Sequence, residues 1–105
     1  MAQEVDIRGD RWPLTPTYAA VVTAEGAGAS TVSLGGECDH IRIMVVTVTG
    51  ESGCVNYNFT GTADANDPQI GAGQALDRKL QNAISTLYYY ATAACHFTVE
   101  AWKEG

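Results

Sequence analysis

The side chains best equipped for chemistry in this chain are three cysteines and two histidines: Cys38, Cys54, Cys95, His40 and His96. Thiolates and imidazoles at short spacing can hold zinc, and a cysteine beside a base can act as a nucleophile. Neither use fits the pattern. Cys38-x-His40 and Cys95-His96 lack the two-residue gaps of a zinc knuckle, and strand neighbours such as Cys95 and His96 point to opposite faces. His40 and His96 alone cannot supply the histidine-and-carboxylate set of a cupin-type metalloenzyme. An odd number of cysteines in a small domain predicts buried thiols, not a disulfide framework. Asp64, Asn66 and Asp67 have the look of a calcium loop, but the central glycine and distant glutamate of an EF-hand are absent, so an Asx-rich surface turn is expected. Gly71-Ala72-Gly73 lacks the third glycine of a phosphate loop and reads as an edge strand or bend. Nucleophile-elbow, Walker and H-E-x-x-H motifs do not occur. The sequence thus predicts a non-enzymatic protein with no metal and no cofactor.

The elements that carry these residues read as strands. Residues 41–49 are rich in β-branched side chains, contain no Gly or Pro, and from Ile43 to Val48 are apolar on both alternating faces, which is how a central strand covered on both sides reads. Ile43, Val45, Val46 and Val48 are its expected core. Val55, Tyr57 and Phe59 alternate with Asn56, Asn58 and Thr60 in a half-buried strand. The short Gly-bounded segment 50–54 predicts a hairpin between these two runs. Further strands are expected near 17–24, 30–35, 68–72, 75–80, 83–91 and 95–103, with a turn at 35–39. Residues 74–91 also carry Leu76, Leu80, Ile84, Leu87, Tyr88 and Ala91 at helical spacing. The β-formers of 84–90 favour two strands over one helix, the second closing a hairpin with the last strand. The tally is about eight short strands with Gly-rich turns, an antiparallel β-sandwich of jelly-roll type.

The chain has 105 residues and 46% hydrophobic content, enough for one core and too few for two. With 12 acidic against 6 basic residues and a net charge of −6, nucleic acid and anionic membranes are disfavoured as partners. No apolar run approaches the ~20 residues needed to cross a bilayer, and the start Met-Ala-Gln-Glu-Val-Asp lacks a secretory pattern. Synthesis and residence in a cytoplasm, or carriage from there inside an assembly, are expected. Residues 1–16 hold Pro13 and Pro16 and read as an extended arm preceding a single domain, 17–105. Two readings of the arm stand: a disordered leader, or a segment that orders on a partner with Trp12 as anchor and Arg8 and Arg11 pairing with acidic groups. Tyr88, Tyr90 and Trp102 are candidate exposed aromatic contacts, and the set Tyr88, Tyr89, Tyr90, Trp102, Asn56 and Asn58 allows a carbohydrate-binding alternative. Arg8-Gly9-Asp10 and the glycosylation-type triplet Asn58-Phe59-Thr60 are assigned no function.

The charged arm, the strands Tyr18-Ala-Ala-Val-Val-Thr, Val32-Ser-Leu and Cys38-Asp-His-Ile-Arg-Ile, the segment Pro68-Gln-Ile-Gly-Ala-Gly and the closing His96-Phe-Thr-Val-Glu-Ala-Trp form a layout over most of the chain. That layout resembles small virion structural proteins of tailed bacteriophages, and among them the capsid decoration, or cement, proteins. The resemblance implies a β-sandwich or jelly-roll protein, commonly trimeric, made in the host cytoplasm and bound to the capsid exterior, where it ties major capsid protein subunits together.

Overall fold

In a computed structural model, residues 18–103 are described. They form an all-β domain of six antiparallel strands in one curled sheet. The strands are β1 (Tyr18–Ala24), β2 (Gly28–Val46), β3 (Val55–Asn58), β4 (Gln69–Ile70), β5 (Ala75–Ala91) and β6 (Cys95–Trp102), in the order β1-β6-β2-β5-β3-β4. The described residues hold no helix, and so none long and apolar enough to cross a membrane.

Six strands stand where the sequence predicts eight, because two pairs of expected strands fuse. Residues 30–35 and 40–49 become parts of β2, since the Gly35-Gly36 segment kinks the strand without reversing it. Gly35 takes the kink at φ +76°, a conformation that costs a residue with a Cβ. Residues 75–80 and 83–91 likewise fuse into β5, which holds no glycine and follows the bend of its partner strand. The helical spacing of Leu76, Leu80 and Ile84 is a multiple of two as well as of four, so the three also share one face of a strand, and all pack against the core.

The kinks in β2 and β5 coincide. Their pairing shifts between Ser33↔Thr86 and Cys38↔Ile84, and again between Cys38↔Ile84 and His40↔Lys79. The two shifts cancel, because the outer pairs are seven residues apart on both strands. Each strand also exchanges its inward face there. Val32 and Leu34 point inward before the kink, and Ile41, Ile43 and Val45 after it; Leu87, Tyr89 and Ala91 take over from Leu76, Leu80 and Ile84. An extra residue in a strand both bends it and reverses the side of everything beyond it. Both halves of each long strand therefore face one core.

That core holds Phe97, Leu34, Ile41, Ile43, Leu87, Val45, Val55 and Val99, all essentially inaccessible to solvent. Tyr89 of β5 meets Phe97 of β6 edge to face, with ring centroids 4.9 Å apart, although no ladder joins those strands. The expected β5–β6 hairpin is therefore absent: residues 92–94 carry the chain across the core instead of reversing it within the sheet. The expected hairpin of 41–49 with the Val55 strand is absent for the same reason, β2 lying between β6 and β5 while β3 lies between β5 and β4. The linker before β3 is laid against the 92–94 bend, with Gly53 N–H donating to Ala94 O at 3.1 Å and Thr92 N–H to Cys54 O at 3.0 Å.

Of the four expected core residues, Ile43 and Val45 are fully buried, whereas Val46 ends β2 half-buried and Val48 lies beyond it, also half-buried. Met44 is 36% exposed. The central strand is covered on one face, not on both.

Phe97→Ala should cost about 3–5 kcal/mol, as large-to-small changes in closed cores do, while Val21→Ala on the outer surface should stay within about 0.5 kcal/mol. Urea unfolding of the two variants checks the contrast. Gly53→Ala should also destabilise markedly, because its Cβ would fall 2.3 Å from the Ala93 carbonyl oxygen, a backbone atom that cannot swing aside.

Candidate interaction surface

The outward-facing residues of β1, β6, β2 and the first half of β5 stand in ranks across the four strands. Val21 pairs with Thr98, Thr98 with Met44, and Met44 with Ala75, so one rank reads Val21-Thr98-Met44-Ala75. Val21 is 62% exposed, and it and Met44 are the large hydrophobic side chains most open to solvent among the described residues. Both fall in this rank. On one side lies Ala19-Glu100-Arg42-Asp77, with alternating charge; on the other, Thr23-His96-Val46. This outer face carries two exposed apolar side chains in one rank, bordered by a charged one.

The far corner is the rank Trp102-His40-Lys79. The indole of Trp102 stacks on the His40 ring, with centroids 4.6 Å apart and planes 10° from parallel. The indole N–H is buried and meets no acceptor among the described residues, so the stack, not a hydrogen bond, sets its orientation. His40 Nε2 lies 2.5 Å from Asp77 Oδ1, and Lys79 Nζ 3.8 Å from Asp39 Oδ2. Asp77 and Lys79 are more than half exposed, and such pairs contribute about 0–1 kcal/mol. Trp102, expected as an exposed contact, is thus half-buried and held by its neighbour.

Tyr88 and Tyr90 lie on the outer side of the other half of the sheet, each half-buried and opposite Asn58 and Asn56 respectively. Tyr89, between them, is the core residue that meets Phe97. Of the carbohydrate alternative, Tyr88, Tyr90, Asn56 and Asn58 therefore meet on one face, whereas Tyr89 is turned into the core and Trp102 belongs to the other half. The two amides are already occupied. Asn56 is 1% exposed and donates from Nδ2 to Asp67 O at 2.6 Å. Asn58 Oδ1 accepts from Thr60 N at 2.8 Å and from Thr60 Oγ1 at 3.0 Å. Both hold the 59–68 loop in place. Within that loop Asp64 Oδ1 accepts from Asn66 N–H and Asp67 Oδ2 from Asp64 N–H, each at 2.8 Å, the Asx turn read from the sequence. Tyr57, Phe59 and Arg78, together with Asn58, Thr60 and Asp67, line a groove of 250 Å³ beside β3, with the Arg78 guanidinium 5.9 Å from the Tyr57 ring centre. Tyr57 is itself only 7% exposed, so its ring offers no open face for a sugar to stack on.

All three cysteines are thiols, Cys38 and Cys95 buried and Cys54 half-buried. Cys38 Sγ reaches Gly36 O at 3.7 Å, across the β2 kink. Cys95, His96, Glu51 and Cys54 gather at the 92–94 bend, where His96 Nδ1 lies 2.8 Å from Glu51 Oε1. Burial pushes the Cys95 thiol up, helped by the Glu51 carboxylate and the Cys54 thiol. A thiol so placed is a poor nucleophile at neutral pH. No cluster of three or more His, Cys, Asp or Glu suited to a metal occurs among the described residues. Arg8, Arg11 and Trp12, the expected arm contacts, lie outside the described residues, as does the expected 1–16 arm itself.

Native protein treated with an aromatic disulfide reagent near pH 8 should release one rapid equivalent, from Cys54, with Cys38 and Cys95 reacting at the rate of unfolding. Mass mapping of the labelled peptides would test the order, and three equally fast thiols would contradict it. Compared with known proteins, the chain matches no family model, no curated sequence and no solved structure.

Proposed function

We propose that this protein is a non-enzymatic structural module of a phage virion, a decoration or cement protein that binds the capsid exterior and stabilises contacts between major capsid protein subunits. In this reading the curled sheet serves as a small scaffold of β-sandwich or jelly-roll type, the protein works as a homo-oligomer, a trimer by the resemblance in layout, and it is made in the host cytoplasm. The observation that carries the proposal is the Val21-Thr98-Met44-Ala75 rank on a sheet face that nothing among the described residues covers. An open sheet face carrying Val21 and Met44 suits a broad macromolecular partner better than a small molecule, which needs a concave site.

Magnitudes favour the stripe over its border. Val21 is 62% and Met44 36% exposed, so covering what remains open contributes about 1–2 and about 0.5–1 kcal/mol respectively, whereas exposed pairs made by Glu100, Arg42 or Asp77 add about 0–1 kcal/mol and mainly set orientation. The arm adds a second anchor, with Trp12 supplying area and Pro13 and Pro16 limiting the entropy lost on ordering.

A second reading, carbohydrate binding as a head-fibre or tail-associated adhesion module, draws on Tyr88 and Tyr90 facing Asn58 and Asn56. It ranks lower because the amides are committed to the 59–68 loop.

Met44→Arg should lower occupancy on capsids at least tenfold, equivalent to ~1.4 kcal/mol, without changing the thermal melt. Trp12→Ala should act similarly, and Arg8→Ala much less. Quantitative electrophoresis of purified particles mixed with each variant reads all three. Unchanged occupancy with Met44→Arg would remove the face from the account, and unchanged occupancy by a chain lacking residues 1–16 would remove the arm.

A further inference from the structure

The free edges of the curled sheet differ in how they are protected. β4 offers two residues. The first half of β5 carries Asp77, Arg78 and Lys79 along its edge, and charges of this kind deter pairing with another chain. The first half of β2 offers Gly28-Ala29-Ser30-Thr31-Val32-Ser33 but runs straight into the Gly35 kink, which bends it away. β1 has none of these devices. Its seven residues, Tyr-Ala-Ala-Val-Val-Thr-Ala, include no charge and no proline, and they pair with β6 residue by residue from Tyr18↔Ala101 to Ala24↔Cys95 without a shift. No strand among the described residues pairs its other side. In a chain with a net charge of −6, a straight, uncharged edge of this length is a place where two copies meet without like charges opposed.

We propose that β1 is an interaction edge whose partner is β1 of a second copy, paired antiparallel about a two-fold axis at Val21. The geometry is self-complementary: Val21 faces its own mate, Ala20 faces Val22, Ala19 faces Thr23 and Tyr18 faces Ala24. Such pairing satisfies the outward N–H and C=O groups of both edges and joins the two sheets. It brings the two Val21-Thr98-Met44-Ala75 ranks side by side, doubling the stripe. The contact is two-fold and so differs from the three-fold contact of a trimer; it holds whether or not the stripe's partner is a capsid.

The test is amide hydrogen exchange of residues 18–24 on the full chain over a dilution series, alongside sedimentation velocity. The expected result is a dimer, or a hexamer where a three-fold contact forms as well, with alternate β1 amides slowing as concentration rises. The double variant Ala19→Lys, Val21→Lys places like charges near the two-fold axis at exposed positions. It should raise the dissociation constant at least tenfold and leave the circular dichroism melt in place, while Met44→Arg leaves dimerisation unchanged. Three outcomes overturn the proposal: a monomer at all concentrations, β1 exchange that does not depend on concentration, or a lysine variant that associates as tightly as the parent. Loss of capsid occupancy with pairing intact, or the reverse, separates this contact from the proposed function.

Discussion

The joint kink of β2 and β5 is the constraint on which the rest of the structure depends. Side chains alternate with period two along a strand, so a strand of nineteen residues without a bulge would turn one continuous set of positions toward the core. Here Val32 and Leu34 occupy one parity and Ile41, Ile43 and Val45 the other. They share a core because extra residues enter between them. A kink in β2 alone would misalign it with β5 for the remainder of the ladder. The compensating slip in β5 restores pairing from His40↔Lys79 to Met44↔Ala75, and the two-stranded ribbon bends as a unit. Gly35 and Gly36 relieve the backbone at that point, and Cys38 and Asp39, adjacent and both buried, mark the exchange of faces.

The bend determines what each surface does. Curling encloses Phe97 and Tyr89 from two parts of the sheet that share no ladder, and the connections at 47–54 and 92–94 are drawn together across the same end. The inner surface is thereby completed by the chain itself. Outside, nothing among the described residues covers the β1-β6-β2-β5 face in the same way, and Val21 and Met44 remain open there. Polar chemistry is spent on shape: Asn56, Asn58, Asp64 and Asp67 fasten one loop, and Glu51 and His96 fasten one bend. What remains is an outward rank that holds Val21 and Met44, and a β1 edge that no strand among the described residues pairs.

Much of the fold was legible in the residues. Alternation located β1, β3 and β6 closely, and the β-branched run of 41–49 marked the strand that is third in a sheet of six. Strand partners were not legible, because Gly-bounded segments such as 50–54 and the 92–94 bend look alike whether a chain reverses within a sheet or crosses a core. The Gly35-Gly36 segment posed the same ambiguity, and its kink read as a turn split β2 in two, as the division of 75–91 split β5. The candidate surface was half visible. Apolar residues on both faces of 43–48 implied cover on both sides, and the structure supplies it on one. Val21 joins Met44 only through the register of three ladders, which no single segment encodes.

The most direct measurement is a nuclear Overhauser spectrum of protein with labelled aromatic rings and Leu and Ile methyl groups. The account predicts contacts between the Tyr89 and Phe97 rings, together with contacts from the methyl groups of both Leu34 and Ile43 into the one core. A spectrum in which Tyr89 and Phe97 share no contact, or in which one of those two methyl groups behaves as solvent-exposed, would contradict the shared core and with it the outer face that the kink creates.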